Sequence, residues 1–277
     1  MTDHVSAVVD APAGSRNAAR KPVYGAWPMP HRPFATRKKR PFVENAILTS
    51  LPLRDRTAIG KCLEPIVLKE RMILQEPKGH VGHVYFIDSG LISLRVAAGG
   101  SMLETAVVGY RGLVGGSFLW GGRRSTHQSV VLFHGRARRI PVEDLRRVIK
   151  GRPVIRDRLF EYVQALTFQC VQTGLCGVRH NREQRLASWL CLASDAAEAR
   201  MLPVTRDYLS NVLGLGRAGV TETLIRFEEQ GLIRKIRGFL QIDERKKLEQ
   251  KACCCYKLVS SAYVSCQSAI SAEEPVG

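Results

Sequence analysis

The stretch Leu202–Ile242, LPVTRDYLSNVLGLGRAGVTETLIRFEEQGLIRKIRGFLQI, decides how the chain is to be read. Pro203 and Thr205 are helix-start residues, and Arg206, Asp207 and Tyr208 enter the first turn. A short helix then runs to Leu213 and buries Leu209, Val212 and Leu213. Gly214-Leu215-Gly216 breaks it, because glycine tolerates the positive φ of a tight turn between helices. The spacing predicts a second helix with Val220, Leu224, Ile225 and Phe227 inward, ended by Gly231 at the position after its cap. Beyond it, Leu232-Ile233, the basic residues Arg234, Lys235 and Arg237, the turn residue Gly238, and apolar Phe239, Leu240 and Ile242 read as a small hairpin. Helix, three-residue turn, helix and hairpin can set the second helix in a major groove and lay the hairpin along a phosphate backbone. Double-stranded DNA is the expected partner.

Upstream, Asn181-Arg182-Glu183 begins another helix, with Leu186, Ala187, Leu190 and Leu192 inward. A longer helix is predicted from about Pro153 to Gly177. Along it, Ile155, Leu159, Tyr162, Leu166, Gln169, Thr173 and Cys176 recur at steps of four and three. Such a seam seeks a partner helix, and the expected one is its copy in a second chain. The alternative is a helix packed on its own domain. Pro141 to Ile149 reads as a short helix.

From Glu64 to Ile140 the pattern turns extended. Ile66, Leu68, Ile73, Val84, Phe86, Ile92, Leu94 and Val96 lie in short runs punctuated by Pro77-Lys78-Gly79, Asp88-Ser89-Gly90, Gly109, Gly112 and Gly135. Many short strands with such turns predict an antiparallel barrel or roll. Asn45 to Cys62 reads as a helix pair with Ile47, Leu48, Leu51, Leu53, Ile59 and Leu63 inward. The expected organisation is therefore α+β. Residues 1–42 form a disordered basic segment, 43–150 a β-roll, 151–180 a dimerisation helix, 181–250 a winged helix-turn-helix and 251–277 a tail.

The formal net charge of the 277 residues is +17, which favours polyanionic partners. Residues 1–40 carry eight Lys or Arg against two Asp and five prolines, too polar a segment to bury a core. Arg37-Lys38-Lys39-Arg40 there is either an extra DNA-binding arm or a solvated tail. No run of 18 apolar residues exists, so no membrane span is expected. The polar N-terminus lacks a signal-peptide core, and eight cysteines without an export signal point to reduced thiols in the cytoplasm.

Roll, long helix and winged helix-turn-helix, in that order, resemble the Crp/Fnr family of bacterial transcription regulators over roughly Asn45 to Tyr256. The stretch LPVTRDYLSNVLGLGRAGVTETLIRFEEQGLI carries most of the likeness, and His83-Val84-Tyr85-Phe86-Ile87-Asp88-Ser89-Gly90 adds a family-like glycine turn. The resemblance implies a homodimer on an inverted-repeat operator, with RNA polymerase as a further partner. It places Arg217 at the head of the reading helix, where a bidentate guanidinium meets guanine O6 and N7. It sets Thr205 and Arg206 against a phosphate. Thr221 would meet a thymine methyl or a phosphate, and Arg234, Lys235 and Arg237 are either wing contacts or an ordinary solvated turn. Ala218 replaces a common glutamate and Glu222 a base-contacting arginine, so the target site need not be the best-known operator. Glu222 then either accepts from a cytosine amino group or is solvated. Gly219 and Arg226 are counted on the same DNA-contacting helix. The dimer row would comprise Ile155, Leu159, Tyr162, Leu166, Gln169 and Thr173.

Family members that bind cyclic AMP use a Gly-Glu pair on the ribose and an Arg-Ser pair on the phosphate. Here Val114-Gly115-Gly116-Ser117 offers no glutamate, although Arg124-Ser125 stands near the expected pair. Unpaired buried ligand groups cost about 1–3 kcal/mol each. No cofactor is therefore expected, with a different small effector left open. Residues 1–61 hold no cysteine, which argues against the family's N-terminal iron–sulfur cluster. Cys253-Cys254-Cys255 are adjacent, whereas metal ligands typically need two to four intervening residues, so no metal site is expected and the three are assigned to a mobile tail. Cys170 and Cys176 on the long helix are candidates for cross-dimer oxidation. His80 and His83 read as loop residues without a third ligand. No phosphate loop, nucleophile elbow or His-Glu-x-x-His is present, so no enzymatic activity is expected. The alternative to a DNA regulator is a ligand-sensing roll that acts through protein contacts.

Overall fold

The computed structural model describes residues 44–98 and 101–268. Two short helices, α1 (Ala46–Thr49) and α2 (Leu53–Gly60), lead into β1 (Glu64–Leu68), β2 (Ile73–Gln75), β3 (His83–Ala98), β4 (Ser101–Val108) and β5 (Leu113–Val114). A tight 3-10 turn at Gly116–Trp120 precedes β6 (Gln128–Pro141). Then come α3 (Val142–Lys150), α4 (Pro153–Arg179), α5 (Arg182–Ala197), β7 (Met201–Leu202), α6 (Arg206–Val212) and α7 (Arg217–Glu229). The hairpin β8 (Ile233–Ile236) and β9 (Phe239–Ile242) and the helices α8 (Arg245–Lys251) and α9 (Cys254–Ser268) complete the order. The fold is α+β. The N-terminal segment and its basic run Arg37-Lys38-Lys39-Arg40 lie outside the described residues.

One six-stranded antiparallel sheet runs β1-β6-β3-β4, with β2 also on β6 and β5 also on β3. Two long strands dominate it: β3 spans 16 residues and β6 spans 14. Both bend, and their register slips between Ile87 and Ile92. At Gly90 φ is +95°, and an added Cβ would meet the Phe133 carbonyl oxygen at 2.7 Å. One on Gly135 would stand 2.0 Å from the Ser89 oxygen. These glycines are therefore not turns between short strands. They let two long strands cross backbone to backbone where the sheet folds over.

Asn45 ties α1 to the roll. Fully buried, it accepts at Oδ1 from the Ile47 and Leu48 amides and donates from Nδ2 to the carbonyls of Ile87 (2.8 Å) and Gly112 (2.8 Å). Its own amide donates to Asp88 Oδ1, which also receives Arg138. Leu53, expected inside, is 71% exposed at the first turn of α2.

The expected dimer row of α4 is filled from within the same chain. Ile155, Leu159 and Tyr162 are buried against α1–α3 and the roll, and the Tyr162 hydroxyl donates to the Leu113 carbonyl at 2.9 Å. Leu166 is partly buried on the same side, Gln169 accepts from Tyr263 on α9 at 2.7 Å, and half-buried Thr173 donates back to the Gln169 carbonyl. The stretch assigned to a tail supplies this partner. Cys254–Ser268 is helical, buries Tyr256 and Val259, and lies along α4. Arg245 clasps it to α5 by donating to Asp195 and Tyr256. Among the large apolar side chains that α4 leaves exposed, Val171, Leu175 and Val178 follow at steps of four and three, and Phe160 lies eleven residues earlier on the same side.

The C-terminal unit shares its core with the roll. Leu186, Leu190, Leu209, Val220, Leu224 and Phe227 pack with Leu91, Val107, Leu132 and Phe133 of the sheet. Between the strands, Leu68, Ile87, Ile92, Val108 and Val131 form the interior of the roll.

Candidate nucleic-acid interface

Thr205 caps α6: its side-chain oxygen accepts from the Tyr208 amide at 3.1 Å. Gly214 takes a left-handed φ of 59° in the turn, and Gly231 does the same after α7 (φ 67°), where the Leu232 amide reaches back to the Phe227 carbonyl. Gly238 (φ 81°) closes the hairpin. All these breaks were legible because each depends on a local backbone need.

On α7, Val220, Thr223, Leu224 and Phe227 face the core. At 3.6 residues per turn the opposite face is centred on Ala218, Glu222 and Ile225. Ile225, expected inward, is 43% exposed there. Arg217 opens the helix, largely exposed, with Asp207 Oδ1 3.5 Å from its Nε. Thr221 is half-buried beside it and donates to the Arg217 carbonyl. Arg206 is exposed at the start of α6.

The other flank of α7 belongs to Arg182, a residue the sequence reading passed over. An added Cβ on Gly219 would lie 1.9 Å from Arg182 Nη1. Gly219 thus makes room for that guanidinium, which continues to Glu222 Oε2 at 3.3 Å. Arg226 takes the other Glu222 oxygen at 3.3 Å and also reaches Glu183. Glu222 is therefore charge-compensated from both sides. In the hairpin, Lys235 is held by Glu228 through its amide (3.0 Å) and its Nζ (3.1 Å), which pull the Glu228 carboxyl below its ordinary range. Arg234 pairs with Asp243, and Arg237 stands exposed at the tip. An open hollow between hairpin and helices is lined by Thr205, Arg206, Thr221, Lys235 and Phe239.

Behind this face, a buried polar cluster joins it to the roll. Glu104 of β4 receives Trp189 Nε1 of α5, the Tyr208 hydroxyl of α6 (2.7 Å) and the Ser93 hydroxyl of β3. Arg95 donates to Ser93 at 2.9 Å and lies over the Tyr208 ring. Burial raises the Glu104 carboxyl above its ordinary range, against the pull of its three donors. Burial and the adjacent Glu104 also push the Tyr208 phenol up. Glu104 gave no sequence signal, since two of its three donors, Trp189 and Tyr208, lie 85 and 104 residues away.

In the roll, Gly115 adopts φ +101°, and an added Cβ on Gly116 would stand 2.7 Å from Val163 of α4. A side chain where the ribose-binding glutamate was sought would thus run into the helix. Arg124 donates to the Lys78 carbonyl at 2.7 Å, and the Ser125 hydroxyl donates to that of His127 at 2.7 Å. Both are engaged in stitching the 77–81 loop to 123–125, in which His80 pairs with Arg124. His83 lies in β3.

The cysteines also depart from expectation. Cys176 faces Cys253 of its own chain at 3.4 Å rather than a dimer mate, and Cys170 is half-buried toward the roll interior, where burial raises its thiol. The hydrogen bond shared by Cys176 and Cys253 draws the Cys253 thiol well below its ordinary range and pushes Cys176 up.

A bent roll, a long helix and a winged helix-turn-helix with an arginine heading its outward helix make up the architecture. The profile of the Crp-like helix-turn-helix domain matches residues 184–251. Solved structures share the fold over about two thirds of this chain. FixK2 from Bradyrhizobium japonicum is 15% identical with a TM-score of 0.60, over 69% of this chain and 98% of that one. The c-di-GMP-responsive global regulator CLP of Xanthomonas campestris is 15% identical with a TM-score of 0.58, over 69% and 99%. A Crp/Fnr-family transcriptional regulator from Thermus thermophilus is 20% identical with a TM-score of 0.54, over 68% and 98%. A search of curated proteins gave no significant match. Residues 184–251 thus form a Crp-like helix-turn-helix domain, and the chain has the fold of solved Crp/Fnr regulators. Among the described residues no helix is long and apolar enough to cross a membrane.

Proposed function

We propose that the chain is a sequence-specific, DNA-binding transcription regulator that acts in the cytoplasm as a homodimer on an inverted repeat. The observation that carries this reading is the outward face of α7, headed by exposed Arg217 and flanked by Thr205, Arg206 and the basic hairpin. In this reading α7 enters the major groove. Arg217 leaves Asp207 for a guanine edge, a bidentate contact. Thr205 and Arg206 hold one phosphate, and Lys235 and Arg237 hold the neighbouring backbone. Ala218 and Thr221 are small enough for close approach to base edges. Glu222, compensated by Arg182 and Arg226, meets DNA without a net negative charge of its own.

Dimerisation falls to the outer row of α4, Phe160, Val171, Leu175 and Val178, because the inner row is covered by the roll and α9. The roll is a sensor for an effector other than cyclic AMP, and RNA polymerase is the downstream partner. No catalytic step is assigned.

The test compares binding of wild type and Arg217→Ala to a selected duplex site and to a scrambled duplex. Arg217→Ala should lose about 1–3 kcal/mol on the selected site alone, whereas Lys235→Ala should weaken both duplexes alike and reduce the salt slope by about 1. Equal binding by Arg217→Ala and wild type on the selected site would show that α7 does not read bases. A chain that binds no duplex at any salt would instead favour a protein-contact role.

A further inference from the structure

At the junction between α4 and the C-terminal unit, two segments far apart in sequence bring four ligating side chains together. Cys176 lies in the last turn of α4, and His180 is its cap residue. Cys253 precedes α9, and Cys255 lies in its first turn. Their ligand atoms all stand within 4.8 Å of one another. Cys176 Sγ is 3.4 Å from Cys253 Sγ, and Cys255 Sγ is 3.6 Å from His180 Nδ1. A tetrahedral zinc ion with bonds of about 2.3 Å to sulfur spaces its sulfurs about 3.8 Å apart. The four groups are thus at ligand spacing already. A set in which every donor is near every other encloses one ion rather than spanning two.

We infer that Cys176, His180, Cys253 and Cys255 form a Cys3His site for a single thiophilic divalent cation of the zinc class. Three thiolates and an imidazole are the donor set such an ion prefers over magnesium or calcium. Cys253 and Cys255 are buried, and Cys176 and His180 are half-buried, so the site is closed in the manner of a structural one. The surroundings support the ligands as well. The Cys253 amide donates to Ser188 Oγ at 3.0 Å, and that hydroxyl stands 3.1 Å from Cys253 Sγ. Exposed Cys254 lies 3.7 Å from the other ring nitrogen of His180, a position that orients the imidazole without filling the site. Arg185 and the α9 N-terminus offset the thiolate charge.

Loading the ion displaces whatever protons the three cysteine sulfurs still carry and forms three metal–sulfur bonds and one metal–nitrogen bond; no electron is transferred. The bound ion bolts the end of α4 to the start of α9. It thereby fixes the His180–Asn181 joint from which α5 departs. Consecutive cysteines alone could not form this site. It exists because Cys176 and His180, one turn apart on α4, meet alternate residues of a tight helix start.

The test uses the full chain, purified under reducing conditions without a metal-affinity step, and its first readout is elemental analysis. One zinc per chain is expected. After chelation, added cobalt(II) should give the visible bands of a tetrahedral thiolate site, at one equivalent. Cys253→Ser and His180→Ala should lose those bands, Cys254→Ser should keep them, and circular dichroism reports whether each variant is folded. Should Cys253→Ser fail to fold, His180→Ala and the wild-type titration decide. The proposal is overturned if the folded, reduced wild type takes up no cobalt, or if the bands survive in His180→Ala. It is equally overturned if the untreated chain holds a Cys176–Cys253 disulfide and, once reduced, binds no metal. None of these readouts depends on DNA.

Discussion

Glu104 is a carboxyl group buried between the roll and the reading unit, and its position has a consequence for pH. Burial raises its folded-state value above the ordinary 4.5. Between those two values the folded chain binds more protons than the unfolded one, so stability falls as pH rises. The contribution is complete below the ordinary value and lost as pH passes the raised one. Thermal melts over that window should show wild type losing stability with rising pH, by at most about 1.4 kcal/mol per pH unit for one proton. Glu104→Gln should flatten the slope. An unchanged slope in the variant would mean that other groups govern it. Sequence gave no access to this residue, because Trp189 and Tyr208 approach it from other elements. Thr205 and Arg217 were legible for the opposite reason: capping and helix-start chemistry are settled within a few residues. Arg182 escaped notice because its contact with Gly219 is made across 37 residues and depends on the absence of a side chain.

At the scale of elements, periodicity found the helices and most of their inward residues, but misread punctuation in the sheet. Glycine marks a turn and a close strand crossing equally well. Gly90 and Gly135 are the second case, and β3 and β6 run through them. Gly135→Ala should cost about 3 kcal/mol in denaturant unfolding, since backbone blocks the new methyl group. Gly60→Ala, with open space around it, should be close to neutral. A mild Gly135→Ala would show that the strands can part there. The misassigned seam of α4 has a similar origin. A heptad row declares that a partner exists, not which one, and α9 had been read as a tail. The partner of the outer row is addressed by Leu175→Glu. Because that side chain is exposed, the variant should fold normally, and on the proposed dimer it should sediment as a monomer while the wild type sediments as a dimer. A dimeric Leu175→Glu would move the interface elsewhere.

Across the whole molecule, roll and reading unit are joined by a continuous apolar core and by the Glu104 cluster. The helix-turn-helix is therefore packed on the roll, with α7 facing outward. Under the proposed function, an effector that repacks the roll interior would act on the footing of α6 through Tyr208 and Glu104. Duplex DNA bound by the full chain, selected from a random pool and sequenced, tests this account most directly. It predicts an inverted repeat whose half-sites are about one helical turn apart, with a guanine in each half that loses its preference in Arg217→Ala. Enrichment of an unpaired single motif, or a guanine preference untouched by Arg217→Ala, would contradict it.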